Sequence, residues 1–242
     1  VASSLIWEPL VSSWLDGEWL ADVPVVAGSV TWSKLREVPG SIELTVPRLT
    51  VERDWLPRNN PAHPLAHYGQ ILHVSIRVTL PVSRRIVVVR KGTFRIKGWR
   101  DEGGTVTITG ESMFLMIENA RLRKPTASRA SGTLASEARR LTPSYMGLTI
   151  DAGLTDRACP RMTWGESRMD ALRELAEAWP ARLRESMDGQ VSLLPPLDGT
   201  PDPVGTLTDG EGGTVVSAYE AGSDDGIYNI VVARGAETDD AG

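Results

Sequence analysis

The sequence predicts an α+β fold that is mostly β: an antiparallel barrel or sandwich over residues 1–120, a small mixed α+β segment over 121–210, and returning strands over 211–242. Three observations carry this. Apolar and polar residues alternate through Leu72–Leu80, Thr93–Trp99 and Thr105–Thr109, the period of two that sets one face of a strand against a core. The turn formers Asp16-Gly17, Pro39-Gly40 and Gly103-Gly104 fall between short runs, the spacing of an antiparallel sheet of about six to eight strands. Beyond residue 120 the apolar spacing becomes helical, with Pro143 and Pro180 as stops.

In chain order, the first thirty residues carry Trp7, Trp14 and Trp19 and a hairpin about Asp16-Gly17-Glu18. A second hairpin sets Val30 and Trp32 against Ile42, Leu44 and Val46, and Pro47 ends it because proline cannot donate to a ladder. Residues 48–68, with Pro57, Pro61 and Pro64, show no period and are expected to form a long surface loop or insertion. Leu72–Leu80 is the best-patterned strand, and the run Ile86-Val87-Val88-Val89 precedes a hairpin spanning Gly92–Asn119. There Phe94, Ile96, Val106 and Ile108 are expected to face the core, with Thr93, Arg95, Lys97, Trp99, Thr105 and Thr107 on the polar face. The apolar stretch Met113–Ile117 should close over a core, and the basic segment Arg121–Arg129 reads as a solvated linker.

In the mixed segment, 133–141 suits a short helix and 147–150 a brief strand. Ser167 is placed to cap a helix whose apolar face is Met169, Leu172, Leu175, Ala176 and Trp179. Leu183–Leu194 gives two strands about Asp188-Gly189. Residues 195–213 read as a second linker, and Val215-Val216 and Tyr228–Ala233 return to strand character.

The chemistry available is sparse. A net charge of −5 argues against a surface built to grip phosphate backbones. One cysteine, Cys159, rules out an internal disulfide and a cysteine-built zinc site. His63 and His67 have helical metal-ligand spacing, but Pro64 between them opposes a helix, and His73 lies on the polar face of its strand. No nucleophile elbow, phosphate loop or dinucleotide fingerprint is present, and no apolar run has the roughly 20 residues of a membrane span. No catalytic residue, cofactor or metal is assigned.

Four segments in the same order resemble one family. DGEWLADVPVVAGSVTWSKLREVPGSIELTVP resembles the opening of tail-tip or baseplate-hub (minor tail) proteins of tailed bacteriophages, and GTFRIKGWRDEGGTVTITGESMFLMIENAR resembles their strand pair and exit segment. TWGESRMDALRELAEAWPARLRESMDGQVSLLPP is similar to the helix and hairpin of the hub's middle domain, and YNIVVARG to the strand that begins its second barrel. The resemblance implies a tail-tube-like barrel, a middle domain and the start of a second barrel. It implies a non-enzymatic structural protein of the virion tail tip, made in the host bacterial cytoplasm, that forms a homotrimeric ring. The ring would join a distal tail or tail-tube protein to a tip fibre, spike or lysin, with tape-measure protein and DNA passing through unbound. Family hubs continue past the YNIVV-like strand, whereas this sequence stops shortly after it, so the resemblance implies either a truncated or trimmed chain or the absence of the second barrel.

Interface candidates on this reading are Arg95, Lys97, Trp99, Thr105, Thr107, Trp55, His73 and Arg77. A different class stays open: a carbohydrate-binding or cell-wall-cleaving β domain stacking sugars on Trp55, Trp99 or Trp164. So does a hub from a phage-derived injection particle.

Overall fold

The computed structural model describes residues 6–79 and 84–197, and those up to residue 196 form one compact unit. Seven strands come first: β1 (Ile6–Leu15), β2 (Glu18–Asp22), β3 (Ala27–Trp32), β4 (Gly40–Pro47), β5 (Ile71–Thr79), β6 (Ile86–Asp101) and β7 (Thr105–Ser112). They make one antiparallel sheet in the order β2-β1-β5-β6-β7-β4-β3. The two outermost strands, β2 and β3, are consecutive in the chain. A flat seven-stranded sheet at ~4.8 Å per strand sets its edges about 29 Å apart. The residues between Asp22 and Ala27 reach at most ~18 Å, so the sheet must curl. Two hydrogen bonds mark the closure: the Val23 N–H donates to the Val11 carbonyl at 2.8 Å and the Val26 N–H to the Thr45 carbonyl at 2.9 Å. Residues 18–32 thus run as one strand path that leaves β1 and joins β4.

The expected hairpins are present. Asp16 and Gly17 take positive φ values of 51° and 86° between β1 and β2, a conformation glycine adopts at no steric cost. Phe94, Ile96, Val106 and Ile108 all lie at 1% exposure or less inside the barrel. Trp99 does not keep to the polar face. A β-bulge between Ile96 and Gly98 adds one residue, so Trp99 pairs with Ile108 and packs on the barrel core.

The 48–68 segment, expected as a long surface loop or insertion, lies only partly on the surface. Trp55, Leu56, Leu65 and Ala66 are buried and the first three belong to the barrel core, so this segment plugs one end. Its irregular backbone is satisfied by short turns and by side chains instead of a continuous ladder. Gln70 Nε2 donates to the Pro61 and His63 carbonyls at 2.6 and 3.1 Å, and the Ser13 hydroxyl donates to the Pro64 carbonyl.

Beyond the sheet come α1 (Phe114–Asn119), β8 (Thr126–Ala127), α2 (Leu134–Leu141), β9 (Leu148–Ile150), β10 (Thr163–Trp164), α3 (Arg168–Ala178), β11 (Arg182–Glu185) and β12 (Val191–Leu194). They surround a second core that includes Phe114, Ile117, Leu134, Trp164, Leu172 and Leu193. Thr133 caps α2 through the Ser136 N–H, Ser167 caps α3 through the Asp170 N–H, and Pro180 follows the last turn of α3 as expected. The basic linker is partly ordered: Thr126–Ala127 pairs with Thr163–Trp164. The strands expected at 215–216 and 228–233 lie outside the described residues, as does the greater part of the 195–213 linker.

Candidate functional site

β5 and β6 outrun the barrel. β7 accompanies β6 only as far as the Ser112–Phe94 pair, and the β2 path leaves β1 at Val11. Trp7–Leu10, Ser75–Thr79 and Ile86–Lys91 therefore continue as a three-stranded arm. Register fixes its faces: Trp7 pairs with Val78 and Val78 with Val87, while Pro9 pairs with Ile76 and Ile76 with Val89. These six apolar side chains lie on the face continuous with the barrel interior. Among the described residues nothing covers the outer part of that face, where Trp7 is 62% and Val89 40% exposed.

The opposite face holds Ile86 and Val88, 60% and 54% exposed, beside a Glu8–Arg77 ion pair. A strand apolar on both faces is the mark of burial on both faces. Where the β3 path peels away from β1, a groove of about 440 Å³ opens between them, with Val25, Val30 and Leu44 in its walls. Pro9 sits at this open edge, where its missing N–H removes a donor.

The remaining interface candidates divide. Arg95, Lys97, Thr105 and Thr107 stand on the polar face of β6 and β7 as expected. Lys97 Nζ lies 3.1 Å from Glu111, which Arg36 also approaches at 3.7 Å, and the Arg95 guanidinium contacts the Met116 sulfur at 2.7 Å. Arg77 lies on the arm. His73 sets its ring edge-on to Trp14, centroids 5.5 Å apart, and its pKa is pushed down by the surrounding protein and then by Arg90. Trp55 is only 4% exposed, with its indole N–H bonded to Thr50 Oγ1 at 3.1 Å, so it offers no surface. Trp164 is 1% exposed and Trp99 is turned to the core. Trp55 and Trp164 do not present the open ring face that sugar stacking requires, and Trp99 is partly buried against the core. The plug that buries Trp55 and the bulge that turns Trp99 are the causes.

Among the described residues no cluster of three or more His, Cys, Asp or Glu side chains is placed to hold a metal. His63 and His67 do not converge: His63 bonds the Asp54 carbonyl through Nε2 at 3.1 Å, and His67 stacks on Tyr68. Cys159 is half-buried with its pKa raised by burial, and so holds its proton. No helix among the described residues is long and apolar enough to cross a membrane.

The fold has counterparts among solved structures. A tail protein from Neisseria meningitidis MC58 superposes with a TM-score of 0.50 at 13% identity, over 76% of this chain and 50% of that one. The 43 kDa tail protein of prophage MuSo2 from Shewanella oneidensis gives 0.51 at 14% identity, over 78% and 56%. The chain has the fold of phage tail proteins. It spans about half the length of the tail proteins it matches. No protein-family profile and no curated protein matches it in sequence. At such low identity the kinship lies in the backbone arrangement, and sequence reasoning reaches it through the order of strands, turns and helices. The uncovered arm was half visible beforehand, because Ile86–Val89 is apolar at every position.

Proposed function

We propose that this chain is a non-enzymatic structural component of a phage tail tip, of the baseplate-hub kind, working as a ring subunit of three-fold symmetry. The fold of the two tail proteins supports the structural role. The observation that carries ring formation is the arm, whose two exposed apolar faces differ from one another. Unlike faces that meet head to tail generate a closed ring when the rotation closes. In that ring the arm's interior-facing side, Trp7 to Val89, seats against the neighbouring subunit. The polar β6–β7 face, with Lys97, Thr105 and Thr107, is left toward the lumen, where DNA and tape-measure protein pass. Residues 1–120 supply the ring wall, 121–210 a middle domain and 211–242 the start of a second barrel. A distal tail or tube protein docks above, and a fibre, spike or lysin below.

Light scattering and electron microscopy of the full chain test this reading. A trimer is expected, reduced to monomer by Trp7→Ser with Val89→Lys, both at exposed positions, at an unchanged unfolding midpoint. A wild-type protein that stays monomeric at the highest soluble concentration overturns the ring, as does a trimer indifferent to these changes.

A further inference from the structure

We propose that the cleft between β11 and the turn at residues 33–39 docks a short extended segment of a partner protein, in which acidic and apolar residues alternate. This site is separate from the arm and does not depend on ring formation. β11 is the outer strand of its sheet, whose order is β11-β12-β9. The Ser186 N–H bonds the Gln190 carbonyl at 2.9 Å, and counting back along the antiparallel register makes Arg184–Ser192 and Arg182–Leu194 the hydrogen-bonded pairs. The main-chain groups of Leu183 and Glu185 therefore point away from β12. Among the described residues they make no other backbone hydrogen bond. Such an open edge is the template for an added strand.

The edge opens into a cleft of about 740 Å³. Its apolar side is Phe114, Leu183, Trp32 and Met187, and its far wall is the 33–39 turn. Charge selects the occupant. Lys34, Arg36, Arg173 and Arg184 line the cleft against two carboxylates, Glu37 and Glu185, in a chain whose net charge is −5. Arg36 and Arg173 already face Glu111 and Asp170, but Lys34 and Arg184 are exposed and carry no ion pair among the described residues. Leu183 and Arg184, as strand neighbours, point to opposite faces. A strand laid beside β11 presents its own alternate residues to those same faces, so acidic side chains meet Arg184 and the apolar ones between them meet Leu183 and Phe114. A phosphate backbone matches the cations but leaves the apolar side and the strand edge unused.

The test uses the full chain and a fluorescein-labelled peptide alternating Asp or Glu with Val or Leu. Controls are a peptide of the same composition with its acids grouped together, and a single-stranded oligonucleotide. Fluorescence polarisation is expected to show saturable, salt-weakened binding of the alternating peptide only. Arg184→Glu should weaken it about tenfold or more, a step of ~1.4 kcal/mol, and Lys34→Glu in the same direction. Both positions are exposed, and an unchanged unfolding midpoint certifies each variant. Hydrogen exchange at the Leu183 and Glu185 amides should slow on binding. Equal binding of the grouped peptide or the oligonucleotide would reduce the cleft to a patch of positive charge and overturn the proposal. Binding indifferent to Arg184→Glu overturns it as well. So does a self-associated species that Arg184→Glu dissolves, since the cleft would then belong to a second copy.

Discussion

Replacing Glu185 with glutamine should raise stability above neutral pH and flatten its dependence on pH. The Glu185 carboxylate accepts the Met113 N–H at 2.7 Å and the Phe114 N–H at 3.1 Å, joining β11 to the end of β7 and the start of α1. It is 9% exposed. Burial penalises the charged form more than the hydrogen bonds from Ser112, Met113 and Phe114 favour it, and the pKa is pushed up from 4.5 to about 7. A folded-state pKa above the unfolded one means that the folded protein holds the proton more tightly. Stability is then fully present below about pH 4.5, falls as pH rises towards 7 and is level above that. A shift of this size corresponds to about 3 kcal/mol at pH 8. Glutamine removes the titration and keeps one acceptor oxygen, but turns its NH2 toward the second backbone N–H, which costs ~1.5 kcal/mol at either pH. The net expectation is a variant about 1–2 kcal/mol more stable at pH 8 and about equally far below wild type at pH 4. Urea unfolding of both proteins across this range measures the difference. A difference that does not change with pH refutes the reasoning. So does a variant less stable than wild type at pH 8, which would mean that the three hydrogen bonds outweigh desolvation.

Two further substitutions probe the barrel. Gly92 has φ of 145°, and a Cβ there would meet the Phe94 and Trp32 rings at 2.8 Å, so Gly92→Ala combines backbone strain with overpacking and should cost about 2 kcal/mol or more in urea unfolding. Leu65→Ala separates a plug from a surface loop: Leu65 is fully buried, so a loss of about 2–5 kcal/mol is expected, against under ~0.5 kcal/mol for a solvated loop.

Much of the fold was legible because burial on one face imposes a period. Phe94, Ile96, Val106 and Ile108 alternate in the sequence and are all core, and the caps and stops of α2 and α3 fall where Thr133, Ser167 and Pro180 place them. The misses share a cause: the deciding contact lies outside the local pattern. The 48–70 plug has no period because its backbone is satisfied by local turns and by Gln70, His63 and Ser13, residues that read as ordinary polar ones. A bulge shifts the face of Trp99 by one residue and leaves no mark in composition. Glu185 looks like any strand carboxylate until Met113 and Phe114 fold against it. Of the interface candidates, Arg77 alone fell on the arm, since sequence alternation identifies a polar face but not how far a strand pair runs beyond its neighbours.

The same β11–β12 hairpin bears on how the arm can work. Its turn grips the polar face of β6: Asp188 pairs with Arg90, and Thr93 Oγ1 donates to the Met187 carbonyl at 3.0 Å. From the other side the Trp32 indole N–H donates to the Lys91 carbonyl at 3.0 Å, at the bulge where the arm leaves the barrel. The base of the arm is thus held from both faces, while its apolar side beyond Gly92 is left uncovered by the described residues. A surface fixed before it meets a partner loses little conformational entropy on docking, so a larger share of the apolar burial is retained as affinity. The ion pair with Asp188 is exposed and contributes little by itself. Cutting the Thr93 bond with Thr93→Val keeps the side chain's shape and leaves the barrel core intact, but removes one of the arm's anchors. If preorganisation matters, that change weakens self-association while the apolar contact surface stays the same, and it does so mainly through faster dissociation.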